Sequence, residues 1–167
     1  MPVTSDIVRT WRAPRAVMRD ILAQGRREDR AIAYLLIACF LIFVAQLPRL
    51  SRLATGFDLA PGAEIPAMDR LVAYEFLAWL MVWPLFLYFL AAIVHLIARA
   101  IGGKGSMYSA RIALFWTMLA TSPAILLHGM TRGLIGPGIE ANIVGAVWLA
   151  AFVIIWFQSM REAESKS

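Results

Sequence analysis

Few residues in this sequence are placed to do chemistry, and most of those lie inside apolar runs. Glu75 is the acidic residue set deepest in such a run, one turn in from its start. Charging a carboxylate in lipid is expensive, so an intramembrane one is a functional candidate by default. Gln46, His128 and Asn142 fall at the matching ends of three other apolar runs. The four residues therefore form a candidate polar cluster joining four helices, either a small-ligand or proton site or a structural hydrogen-bond hub. The plainer reading is a carboxylate that reaches the headgroups on its own. His95 and His128 are the two histidines, but they fall at opposite ends of neighbouring runs. At 1.5 Å per helical residue their depths differ by roughly 15–20 Å, too far for one metal centre to use both. Each is read as an interfacial or packing histidine. Cys39 is the single cysteine, which excludes an intramolecular disulfide and a cysteine metal site. The stretch "GGKGS", Gly102 to Ser106, lacks the spacing and the preceding strand of a phosphate-binding loop, and reads as a turn. No cofactor, metal or enzymatic reaction is implied by these residues.

The elements that must hold them are membrane helices. The chain is 60% hydrophobic and 16% charged, with mean hydropathy +0.69, against roughly 45–50% and about 25% for a soluble domain. A hydrocarbon core of about 30 Å needs about 20 apolar helical residues. Four runs qualify, at 31–47, 71–98, 110–130 and 141–159. The expected fold is all-α: a polytopic bundle of four spans in one membrane domain, 31–160, between a basic segment 1–30 and a tail 161–167. The second run is too long for one perpendicular crossing and is expected to tilt or to kink near Pro84. Pro123, preceded by Thr121 and Ser122, is expected to kink the third run and free carbonyls one turn earlier. Residues 48–70, with Pro48, Gly56, Pro61, Gly62 and Pro66, read as a loop in which Leu47, Leu50, Ala54 and Phe57 could align one turn of interfacial helix, and Ser106 as a helix N-cap. The first run is longer than the 7–15 apolar residues of a secretory signal, so it is expected to stay as an anchor.

Charge supplies the topology. Segment 1–30 carries seven arginines, the link between the second and third runs Arg99, Lys104 and Arg111, and the tail Arg161 and Lys166, which makes twelve basic residues on one side. The other side has four: Arg49, Arg52, Arg70 and Arg132. The positive-inside rule then puts both termini in the cytoplasm. Because the basic residues flank apolar runs, the net charge of +5 points to a membrane surface and not to nucleic acid. In "PRAVMRDILAQG", Pro14 suits a first turn, Gly25 a stop, and Val17, Met18, Ile21 and Leu22 share one helical face. This predicts a short amphipathic helix in the cytoplasmic interface. Arg9, Arg12, Arg15, Arg19, Arg26 and Arg27 would bind anionic lipid, each contributing on the order of 1 kcal/mol before screening.

The order "PRAVMRDIL", "PLFLYFLAAIVHLIARAIGGKGS", "ARIALFWTMLATSP" and a last apolar span resembles bacterial members of the Yip (Ypt-interacting protein) membrane domain family over most of residues 14 to 160. The resemblance implies a non-enzymatic inner-membrane protein with a membrane-organising or partner-binding role. Its eukaryotic relatives are multi-span proteins of early secretory membranes that associate with small GTPases. A membrane protein partner or a second copy is expected. Two other roles fit the same residues: an accessory subunit of a larger membrane complex, and a small solute or proton-coupled transporter working through Glu75.

Overall fold

Apolar helices with their backbone groups satisfied internally dominate the computed structural model, which describes residues 3–165. Among the described residues eight α-helices follow one another: α1 Val3–Thr10, α2 Pro14–Ala23, α3 Glu28–Ala54, α4 Met68–Leu77, α5 Trp83–Ala100, α6 Met107–Ala120, α7 Ser122–Leu134 and α8 Ile139–Ser165. A π-helical turn, Ala78–Val82, joins α4 to α5. Three rods are long and apolar enough to cross a membrane: α3, the continuous Met68–Ala100 and α8. The pair α6 and α7, bent by 44°, qualifies together as a fourth. This is a helical, multi-pass membrane protein. Lys166, counted above in the basic tail, lies outside the described residues.

The rods share two ends. At the terminal end, the start of α3, the end of α5, the start of α6 and the end of α8 meet: Arg111 donates to Glu28 at 2.7 Å and the Lys104 N–H donates to the Glu164 carbonyl at 3.1 Å. The distal end holds the α3–α4 loop and the α7–α8 turn.

Helix α6 is the core. From Tyr108 to Ala120 every residue except Arg111 is buried. It starts on a reciprocal cap, with Ser106 Oγ accepting from the Ser109 N–H and Ser109 Oγ from the Ser106 N–H. It stops where expected. Pro123 has no N–H, and the Ala124 N–H turns to the Thr121 carbonyl, so the Ala120 carbonyl loses its helical partner. Trp11 Nε1 donates to it instead at 2.9 Å.

That bond reveals what the N-terminal segment does. In the α1–α2 hairpin, α1 packs on α6 and α2 on α8. Pro14 and Gly25 (φ +83°) bound α2 as their chemistry suggests. Its apolar face, however, is buried in protein: Val17, Met18 and Ile21 are at most 3% exposed. The expected immersion of that face in lipid is corrected. The bundle already provides an apolar surface there, and only the charged face is left outward. Thr10 continues the contact by accepting from Trp116 Nε1 at 3.0 Å, and Trp116 meets Tyr34 edge to face at 5.0 Å.

Three boundaries also shift. α3 runs through Pro48 to Ala54, so 48–54 is helix and not loop; membrane helices tolerate the missing N–H, and Gly133 of α7 packs directly on the proline ring. The break in the second rod precedes Pro84. Proline cannot donate to the Leu80 carbonyl, and the turn before it widens so that the Trp83 N–H reaches back to the Ala78 carbonyl. Finally, α8 continues past 159, and Glu162 and Ala163 are buried in what was read as a free tail.

Candidate polar site at the distal end

Near the distal end, α3 and α7 touch backbone to backbone. A Cβ on Gly129 would collide with the Ala45 carbonyl, and one on Gly133 with Pro48. Small residues four apart permit this approach, as in other membrane helix pairs. Polar side chains gather around the contact. Arg49 Nε donates to Gln46 Oε1 at 3.2 Å, and its Nη2 donates to Glu75 Oε1 at 2.5 Å. Trp79 Nε1, one turn further along the second rod, donates to Glu75 Oε2 at 3.1 Å. Both carboxylate oxygens of Glu75 are thus engaged, and at 24% side-chain exposure the pair with Arg49 is partly screened.

Beside this network is a cavity of about 270 Å³ between α3 and α7, lined by Gln46, Arg49, Ile125, His128 and Arg132 over a floor of Ala45 and Gly129. Its polar lining is incompletely satisfied. Arg132 Nε and His128 Nδ1 are buried with no hydrogen-bond partner among the described residues. The ring of His128 packs on Gly145 of α8, where a Cβ would stand 3.0 Å from Cε1 and 3.2 Å from Nδ1. Arg132 lies within electrostatic reach of Asp58, but both Asp58 oxygens accept from Arg52, at 2.9 and 3.1 Å. That hydrogen-bonded pairing holds the Asp58 carboxyl below its ordinary range, against the opposing cost of desolvation.

The structure brings together three of the four residues expected to cluster. Gln46 and His128 line one cavity, and Glu75 joins them through Arg49. Asn142 does not: it is exposed, because its helix turns that face outward. Matching depth does not put Glu75 against His128: the two carboxylate oxygens of Glu75 accept from Arg49 and Trp79. Arg49 and Arg132 were missed, having been counted only as topology charges. The usable signal was a basic residue at the depth of a buried carboxylate.

The terminal end carries a different polar centre. Glu162, 3% exposed, accepts from Arg19 Nε at 2.8 Å and pairs with Arg15 Nη2 at 3.4 Å. Glu164 accepts from the Gly105 N–H at 2.9 Å and faces His95 Nδ1 at 3.4 Å. Gly103 and Gly105 allow this docking, since a Cβ on either would strike Glu164. "GGKGS" is therefore a turn that seats the end of α8. Arg9 pairs with Asp20, Arg26 with Glu28 and Arg27 with Asp29, while Arg12 is exposed. Among the described residues no three His, Cys, Asp or Glu side chains converge as metal ligands would.

Fold and site together define a polytopic helical membrane protein with a donor-rich polar cavity at one end. No family model matches the chain, and no curated protein or solved structure is significantly similar to it.

Proposed function

We propose that this chain is a non-enzymatic protein of the bacterial inner membrane, crossing it four times with both termini cytoplasmic, and that it organises the membrane as its resemblance to the Yip family implies. The observation that carries the reading is the α1–α2 hairpin. It adds two helices to the terminal half of the bundle beside α6, so the protein is wider in one leaflet than in the other. Arg12, Arg15 and Arg19 on the hairpin, and Arg26 and Arg27 just after it, are exposed. Arg15 and Arg19 also pair with Glu162, Arg26 with Glu28 and Arg27 with Asp29, and the donors that remain suit the anionic headgroups of the cytoplasmic leaflet. With the apolar face of α2 buried in protein, the wedge acts through its added width and its exposed basic groups, so its preference depends on membrane shape and on anionic lipid.

Reconstitution of the full chain into vesicles containing anionic lipid, sorted by size, tests this. Protein density per lipid area is expected to be several-fold higher in the smallest vesicles and to level out in neutral lipid. Equal density at all sizes would overturn the organising role. Reporter fusions at Ala60 and Gly138 are expected to read external and one at Lys104 cytoplasmic.

A role as accessory subunit is favoured by the π-helical turn. It sits in a rod whose most apolar window is only 17% buried, with Met81, Val82, Leu85 and Phe86 facing outward. π-Turns in membrane-facing helices recur at functional sites, and an apolar helix of another subunit fits this face. Co-purification in mild detergent at a fixed stoichiometry, lost on Leu85→Trp, would favour it over the wedge.

A further inference from the structure

The distal cavity has an excess of hydrogen-bond donors and of positive charge. Arg49, Arg52 and Arg132 stand around it or beside it, against Glu75 and Asp58. Both acids are committed, Glu75 to Arg49 and Trp79 and Asp58 to Arg52. Arg132 has no acid of its own, and its Nε is buried and unbonded. Gln46 gives its amide oxygen to Arg49, so its NH₂ is what remains to offer. His128 packs its unbonded Nδ1 on Gly145; an orphan lone pair there costs less than an orphan N–H, which assigns the proton to Nε2. Apart from the His128 Nδ1 lone pair, which faces Gly145 of α8, the uncommitted groups are therefore donors. A sugar or a cation needs acceptors that this lining does not supply.

The cavity is several times the roughly 30 Å³ share of one water. A guanidinium taken out of water calls for an anion, and planar donors suit the oxygens of a phosphate. We propose that this cavity binds a phosphate-type oxyanion, held by Arg132, His128 and the Gln46 amide, with Arg49 fixed beside it by Glu75. The chemistry is shared by the headgroup of an anionic phospholipid in the distal leaflet and by free phosphate. Ile125 and Ala45, on the apolar side of the cavity, would border the glycerol of the former.

The test uses the full chain, stripped of lipid and held in a maltoside detergent, which carries no phosphate. One arm titrates short-chain phosphatidylglycerol and the other inorganic phosphate, each followed by ³¹P NMR and by the fluorescence of tryptophan, since Trp79 lies on the same network. Saturable binding is expected in at least one arm: with phosphatidylglycerol alone the source is the lipid, and with inorganic phosphate it is the free ion. Arg132→Gln is expected to weaken binding at least about tenfold, the equivalent of one charge-assisted contact. Arg70→Gln, exposed at the start of α4, should change it less than about twofold, separating a built site from general attraction. Gln46→Glu supplies an internal anion; it should abolish binding while raising the thermal midpoint, so a misfolded variant is recognised at once. Absence of saturation in both arms, or wild-type affinity in Arg132→Gln, overturns the proposal.

Discussion

The two ends of the bundle treat buried charge in opposite ways. At the terminal end the carboxylates are answered, buried Glu162 by Arg19 and Arg15 and half-buried Glu164 by the Gly105 N–H and His95; Arg111 leaves its Nε unbonded there but has an acid of its own in Glu28. At the distal end Arg132 and His128 line a cavity, and the Arg132 Nε–H is a buried donor left over. The first arrangement closes the fold, linking α2 and the α5–α6 turn to α8. The second joins α3 to α7 by packing, through the glycines of α7, and α3 to the second rod by Arg49 and Glu75, while the Arg132 Nε stays unbonded. The difference teaches that buried polarity is informative only once its partners are counted.

That contrast can be broken at the terminal end first. Replacing Arg15 and Arg19 together by alanine leaves Glu162 buried without a cation. Removal of a buried ion's partners is destabilising, moderated here because both arginines are about half exposed, and we expect the loss to be read as an earlier midpoint of unfolding in detergent. Glu162→Gln should restore most of it. At the distal end Gly129→Ala, which drives a methyl into the Ala45 carbonyl, is expected to cost about 1–3 kcal/mol by overpacking. A neutral result would mean that α3 and α7 are not in close contact. Trp11→Phe keeps the ring but leaves the Ala120 carbonyl unpaired, for about 1–2 kcal/mol; hydrogen exchange near the α6–α7 bend should rise with it.

Smaller effects sharpen the comparison. If the distal donors are unmatched, Arg132→Gln should leave stability unchanged or raise it by up to about 1 kcal/mol when no anion is present, the reverse of the arginine changes at the other end. The smallest effect expected is on the distal loop. The carboxyl of Asp58 titrates below its ordinary value in the folded protein, so its contribution is complete above that value and is lost as pH falls through the depressed one. The difference in thermal midpoint between the wild type and Asp58→Asn should shrink as pH drops below about 4. A constant difference would place the effect in the backbone turn at Asp58 (φ +64°) and not in its charge.

What the sequence makes legible is whatever depends on position along a helix. The apolar runs, the stop at Gly25, the Ser106 cap and the Pro123 bend are local, and depth alone brought Gln46, Glu75 and His128 to one level. Rotation about each axis is not local. Asn142 has the right depth and the wrong face, and the arginine that links Glu75 to Gln46 is identified only by where its long side chain reaches. The burial of α2 was hidden for a related reason: an amphipathic face reads the same whether lipid or protein covers it. In this chain the surface that covers it, α6 and α8, comes from residues about a hundred or more positions later.

That separation gives α2 a history during synthesis. Its apolar face is made early, whereas the Ala120 carbonyl that receives Trp11 and the Glu162 carboxylate that receives Arg19 are translated only after the intervening rods. Until then Val17, Met18 and Ile21 have no bundle to lie on. The hairpin therefore cannot complete its docking until α8 has been made. Protease access to the α1–α2 turn during translation would time that step, remaining high until α8 has left the ribosome.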